Sequence, residues 1–496
     1  MIKKLLSLTL SLLLILSALA LVSCTEESEG EKSSVSADAD EKGFLNPAKD
    51  WGGQTVNILT FDNDAYSFET CQVDTEELTD EPVNDAFYER NALIKEKYGI
   101  EINALYTEPG EDYIKVFLED MTSGLNEYDA IVSQVLYIAN LAIEGNLVDF
   151  RTVNSEYIHI DQPWWDQRLI EDITINDKVF YLSGDALVED DEATWAMFFN
   201  KDLVKSHSLE DPYQLVRDNK WTLDKMYELI QEVDLTHGST KSYDPEVGDQ
   251  WGMVAQSYDF LLFMQGLGQT LIDNSGDRPV LRIDNERNVQ VFMKFCEVMY
   301  DEVNVGIADH HGSWNSGIYD REVEIFANGN ALFIPYSISL VGRPVIREAE
   351  IRYGLLPMPK ADELQDEYTT SINVYHYPVI CLPITNVEKR DLTCYALEAM
   401  AYYGMELVTP EYYDRTLTYK RFTDDESGEM LDLIFRNRTY DMGTIFNFNN
   451  GNGDGTLGFF TGLIGQKSNN IVSHYESKKN AYQIGLDDFI AQCYDE

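Results

Sequence analysis

LIKEKYGIEINALY, Leu93–Tyr106, changes its period in the middle. Up to Tyr98 it belongs to a helical series in which Val83, Phe87, Ile94 and Tyr98 recur on one face. That series opens at Asp80-Glu81-Pro82, with the proline near the first turn, and Gly99 ends it. IEINALY, Ile100–Tyr106, then reads as a strand. Upstream, QTVNILTF, Gln54–Phe61, is a short β-branched apolar run and reads as a buried strand. Downstream, Tyr113, Val116, Phe117 and Met121 mark a helix stopped by Gly124. YDAIVS, Tyr128–Ser133, is a further strand, and Ile138–Ile143 is a helix with Gly145 after it. Strand, helix, strand, helix, strand predicts an α/β fold with a parallel sheet.

A chain of 496 residues exceeds one compact core, so two lobes or domains are expected. The balance is very acidic, 87 Asp and Glu against 37 Lys and Arg. Such a surface repels nucleic acid and anionic lipid head groups, so neither is a partner. Six cysteines are sparse for this length and lack CxxC spacing. Cys296 falls among Phe292, Met293 and Met299 on a helix face and reads as core filler. A single bridge between Cys381 and Cys394 stays open.

The first residues are a targeting segment. Lys3 and Lys4 precede the apolar run Leu5–Val22, and Leu21-Val-Ser-Cys24 closes it. That ending resembles the lipobox of bacterial lipoproteins, with Cys24 as the lipidated residue. Residues 1–23 are then the signal peptide. Residues 24–50, acidic and Ser-rich with almost nothing to bury, form a disordered tether. The chain is expected on the outer face of the cell membrane.

Further stretches follow in an informative order. LIKEKYGIEINAL, EYDAIVS and LAIEGNLVDF are succeeded by DKVFYLSGD (177–185), TWAMFFNKDLV (194–204) and DPYQLVRDNKWTLDKMYELIQEV (211–233). FANGNALFIPYS (326–337) and YGLLPMPK (353–360) come last. This series resembles the extracellular solute-binding proteins, family 1, of ABC importers, over nearly all of Gly52–Glu496. DKVFYLSGD matches a strand of that family. Phe199 stands where the family has the tyrosine of its YNK segment. The helix after Thr222, with Leu223, Met226, Tyr227 and Ile230 on one face, fits the family's TWdEl helix. Arg287–Glu302 repeats such a face with Val289, Phe292, Met293, Cys296 and Tyr300.

The resemblance implies a two-lobed, periplasmic-binding-protein-like α/β fold. Each lobe is a mostly parallel sheet flanked by helices, with the ligand cleft between them. Crossings are expected near Glu192–Trp195 and Ser371–Val374. Lobe 1 then comprises 51–193 and 372–423, and lobe 2 comprises 194–371 and 424–496. The implied function is capture of a carbohydrate by lobe closure and its delivery, by a monomer without cofactor, to ABC permease subunits. A peptide or polyamine cargo is the first alternative. A surface glycan-binding or adhesive protein without a transporter is the second.

A sugar presents apolar C–H faces and a rim of hydroxyls, so its site needs flat aromatics and in-plane donors and acceptors. Trp164 and Trp165 are adjacent, cannot share one helix face, and are candidate platforms. Ser133 and Gln134, and likewise Asp62 and Asn63, follow strands where open α/β sheets bind ligands. Asp185 follows Gly184 at a turn close to the first crossing. By resemblance, Tyr336 stacks on the sugar, and Gln256, Tyr258 and Asp259 contact it from the second lobe. Trp314 in HHGSWNSG is a further platform candidate. His310-His311 lacks a third ligand at zinc spacing. Asn450–Gly455 imitates half a calcium loop, but Thr461 stands where a bidentate Glu is required. No GxSxG, HExxH or P-loop occurs, so no enzyme is predicted.

Overall fold

The computed structural model describes residues 43–60, 71–107, 112–233, 250–308, 320–418, 425–449, 451 and 455–494. Cys24, Asp62, Asn63, Trp314 and the His310-His311 pair lie outside the described residues. The chain divides into two compact units, Met1–Leu45 and Asn46–Glu496, and everything below concerns the second.

In chain order the main strands are β1 (Gln54–Thr60), β2 (Ile100–Tyr106), β3 (Ala130–Gln134), β4 (Trp195–Asn200) and β5 (Trp251–Ala255). They continue with β6 (Val305–Ile307), β7 (Ala331–Ser337), β8 (Tyr353–Leu356) and β9 (Pro378–Cys381). One sheet has the order β9-β3-β1-β2 and the other β8-β4-β7-β5-β6. In the first, β1 pairs in parallel with β2, Gln54 opposite Ile100, and with β3, while β9 runs antiparallel to β3. In the second, β5 is parallel to β6 and β7, and β4 is antiparallel to β7 and β8. Parallel pairs need crossover helices that cover both faces, so such strands are buried and read as continuous apolar runs. AIVSQ and WGMVA are buried throughout.

Local signals explain the helix boundaries. Pro82–Tyr98 is capped by the Glu81 carboxylate accepting from Asn84 N, and it ends at Gly99 with φ of 60°. A left-handed residue there favours glycine, and a Cβ would meet the Asp50 carboxylate at 2.5 Å. Thr222 caps Leu223–Gln231 through Lys225 N. Helix Glu286–Met299 buries Val291, Phe292, Phe295, Cys296, Val298 and Met299. Met293 is 40% exposed, not inward as expected, because the buried stripe passes from Val291 and Phe292 to Phe295 and Cys296 and skips it.

Two other expectations give way to tertiary contacts. Asp177–Asp185 is not a continuous strand. Only isolated bridges form, Lys178 with Ile175, Leu182 with Ile380 and Gly184 with Trp165. Left-handed Asn176 and Asp177, with φ of 47° and 63°, turn the chain just before it. Asn46–Asp50, read as the end of the tether, are held on the folded body. Asn46 Nδ2 donates to Tyr157 O at 2.8 Å, and Lys49 Nζ sits 3.5 Å from the Trp51 ring centre.

The segments between the sheets are tied to one another. Trp195 N donates to Ser371 O, and Asn373 N to Ala193 O, each at 2.9 Å. A third segment joins them: Thr370 N donates to Asn437 O at 3.0 Å and Thr439 N to Thr370 O at 2.8 Å. Beyond it the chain serves both sheets. Asp425–Arg436 packs on β8, and Ile471–Tyr494 packs on both Glu286–Met299 and Asn140–Ile143. Cys381 and Cys394 are free, buried thiols, so the bridge left open between them is not formed. Among the described residues no helix is long and apolar enough to cross a membrane.

Candidate functional site

The C-terminal end of β3 brings Ser133 and Gln134 to the inner edge of the first sheet, where both are fully buried. Ser133 Oγ lies 2.5 Å from the Tyr113 hydroxyl and donates to Gln134 Oε1 at 3.1 Å. The short helix Val135–Ile138 follows at once and presents Tyr137, 45% exposed. Tyr137 lies 6.4 Å from Tyr113 and 6.3 Å from Tyr375, edge to face with both. Tyr375 belongs to the returning crossing. Its other neighbour is Tyr258, at 5.5 Å and 64°.

Tyr258 comes from the end of β5 in the second sheet. Its hydroxyl donates to Asn373 Oδ1 at 3.4 Å, again on the crossing. Burial raises this hydroxyl well above its ordinary range, so it is a neutral donor. Beside it, Asp259 accepts from Gln256 N at 2.8 Å, and Gln256 Nε2 donates to Glu322. Tyr113, Tyr137, Tyr375 and Tyr258 thus form one aromatic row from the first sheet to the second. In each edge-to-face pair the edge of one ring covers a face of the other, and Tyr137 keeps its ring half exposed.

Tyr336 joins the second-sheet side of this region, since Asp259 and Glu322 both act on its hydroxyl. The ring is 9% exposed and stacked on Trp195. Arg343 Nη1 donates to its hydroxyl at 3.4 Å and pairs with Asp320.

Trp164 and Trp165 are elsewhere and are 2% and 1% exposed. Gly184 locks them, because a Cβ there would stand 2.5 Å from Trp164 O. Trp165 Nε1 donates to Glu398 Oε2 at 3.0 Å, and Trp164 is edge-on to Tyr402. Burial pushes the Glu398 carboxyl up to about 7. Part of each tryptophan lines a cavity of about 120 Å³, shared with Asp185, Asp190, Asp191, Thr409, Tyr413 and Arg438.

Of the residues proposed from sequence, Ser133, Gln134, Gln256, Tyr258, Asp259 and Tyr336 fall around the tyrosine row. Trp164, Trp165 and Asp185 belong to the cavity. Tyr137, Tyr375, Asn373 and Trp195 escaped sequence reasoning. The one local signal was position: Tyr137 stands three residues after Gln134, and Tyr375 just past the expected return crossing. Among the described residues no group of three His, Cys, Asp or Glu could hold a metal ion.

Three solved structures illustrate the likeness. A sugar transporter from Rhizobium etli in an open conformation matches with TM-score 0.57 at 15% identity, covering 88% of this chain and 98% of that one. The cyclic α-maltosyl-1,6-maltose binding protein of Arthrobacter globiformis matches with TM-score 0.56 at 11% identity, over 88% and 98%. An ABC substrate-binding protein from Listeria monocytogenes in complex with cycloalternan matches with TM-score 0.55 at 12% identity, over 86% and 97%. No curated protein sequence matches. The fold is therefore the two-lobed α/β fold of periplasmic binding proteins, as expected. The family model for bacterial extracellular solute-binding proteins matches residues 74–369. Proteins of this kind bind and transport substrates and are not enzymes, and they act outside the cytoplasm. The chain belongs to the bacterial extracellular solute-binding proteins, the small-molecule receptors of ABC importers.

Proposed function

We propose that this protein captures a saccharide, an oligosaccharide or sugar derivative, between its lobes and delivers it to an ABC permease. The tyrosine row carries the reading. Tyr137, Tyr375 and Tyr258 come from the first-sheet side, the crossing and the second-sheet side. A pyranose laid across them covers apolar C–H groups, while Gln256, Asn373 and Asp259 offer polar atoms for hydroxyls. Neighbours that bind cyclic oligosaccharides support the class.

In this reading 51–193 with 372–423 form lobe 1, and 194–371 with 424–496 form lobe 2. Binding closes them by hinge motion about the paired crossings. Cys24 carries the lipid that holds a monomer at the outer membrane face, and the acidic residues after it are the tether. Cys24→Ala should release a folded protein from the membrane fraction, and retention after signal cleavage would count against the anchor.

A thermal-shift screen against a glycan panel tests the cargo, because a ligand bound only by the folded state raises the melting temperature. Spermidine and short peptides belong in the same screen. Stabilisation by one of them and by no glycan would overturn the saccharide reading.

A further inference from the structure

The segments that join the two sheets converge on one ionic cluster. Arg438 lies on the third of them, beside Thr370. Its guanidinium reaches Asp191 Oδ1 at 3.0 Å, Asp166 Oδ2 at 3.3 Å and Asp190 Oδ2 at 3.8 Å. It also donates to the Asp190 carbonyl at 3.4 Å and to the Thr194 hydroxyl at 3.5 Å, at the start of the first crossing. Asp166 accepts from the hydroxyls of Tyr440, at 2.5 Å, and Tyr377, at 3.2 Å. Tyr377 follows the return crossing directly.

Asp185 faces the same cavity. Thr409 donates to it at 2.6 Å. The π-helical turn Gly404–Val408 brings Thr409 there. Gly404 permits the approach, since a Cβ would fall 1.7 Å from Asp185 O. The remaining neighbours are accounted for. Tyr413, Tyr377 and Tyr440 have hydroxyls held neutral by burial. Buried Glu189 faces Arg90, and Asp172 lies 3.4 Å from Arg168 and accepts from Tyr440 N. Asp432 acts on Tyr413.

Four carboxylates therefore surround one guanidinium at the junction. Three uncompensated charges on buried carboxylates are strongly unfavourable. Protons relieve this. Burial pushes Asp185 up to about 7 and Asp190 well above its ordinary range, and Asp191 moves the same way.

We propose that Arg438, Asp166, Asp185, Asp190 and Asp191 form an ionic clamp between the crossing segments, so that the opening of the lobes is coupled to pH. Ionisation of Asp185 and Asp190, both on the lobe 1 side, adds negative charge facing Arg438 on the lobe 2 side and tightens its hold. Protonation weakens that hold and lets the Arg438 segment move away from Asp190-Asp191. Low pH then favours the wider arrangement. The inference rests on the two-lobed reading of capture but is independent of the cargo.

Small-angle scattering of the ligand-free protein tests it. The radius of gyration should be smaller at about pH 9 than at about pH 5, two units either side of the Asp185 titration. The double variant Asp185→Asn, Asp190→Asn should keep the low-pH radius at both. Thr409→Val should move the midpoint to higher pH, because it removes a donor to the carboxylate, whereas a merely structural hydroxyl would leave it in place. An unchanged radius in the parent, or a change that persists in the double variant, overturns the proposal. If the double variant does not fold, the Thr409→Val midpoint decides. Recovery of the low-pH radius at high pH on adding calcium or spermidine would also overturn it, showing that a cation and not a proton releases the clamp. No sugar is present, so failure of the saccharide reading leaves this measurement unaffected.

Discussion

The rings of Trp195 and Tyr336 stack with centroids 5.8 Å apart and planes 18° from parallel. They stand on paired strands, Ala196 opposite Tyr336, and Trp195 N is tied to Ser371 on the return crossing. The aromatic face that marked Tyr336 as a sugar platform is thus engaged with the first crossing.

Tyr336→Ala should accordingly cost stability, by about 3–4 kcal/mol, as for other large buried aromatics. Tyr336→Phe loses only the long contact from Arg343 and should stay within about 1 kcal/mol of the parent. Chemical denaturation measures both. An Ala variant that unfolds with the parent would remove the stack from the account of stability.

Tyr375→Ala should weaken saccharide binding by about 1–3 kcal/mol, tenfold to a hundredfold. Tyr137→Ala should do the same with little effect on melting, because its ring is already half exposed. Titration calorimetry with whichever glycan stabilises the parent decides. Parental affinity in both variants would leave the tyrosine row without a binding role.

Arg438→Met leaves Asp166, Asp190 and Asp191 facing one another. Removing one partner of a buried ionic network costs about 3–5 kcal/mol. The deficit should shrink as pH falls and the carboxylates take up protons. Urea midpoints at acid and neutral pH would show it, and a pH-independent deficit would contradict the argument.

Stability should respond to pH through buried groups. Burial raises Asp172 to about 6, and Asp185 and Glu398 to about 7. The folded chain then keeps protons that the unfolded chain has released. Their contribution is full below about pH 4 and is lost as pH rises through about 7. His376 acts oppositely: burial lowers it to about 3. Its contribution is present above about pH 6.5 and is lost as pH falls toward 3. Glu398→Gln should therefore gain stability relative to the parent as pH is raised from about 4 to about 8. Calorimetric melting across that range gives the slope, and parallel curves would refute the assignment.

Gly404→Ala should destabilise by about 1–3 kcal/mol or more, since the added methyl meets the Asp185 backbone rather than a movable side chain. Gly428, with open space around its Cβ position, provides the control. Equal melting temperatures for the two alanine variants would argue against the close approach.

What the sequence alone determined is local. Period changes around Gly99 and Gly124, the Glu81 and Thr222 caps and the runs QTVNILT, IEINALY and AIVSQ depend on neighbours within a few residues. The ordered series of short motifs carried the family for the same reason. The tertiary structure decided what depends on distant partners. Trp164 and Trp165 are buried because Gly184 and Glu398 close over them. Tyr375 joins the tyrosine row because a crossing segment sets it between two sheets. Asp166, Asp190 and Asp191 looked like three among many acids until the fold placed Arg438 against them. Burial and pairing are properties of the assembled core, and no short window of sequence contains them.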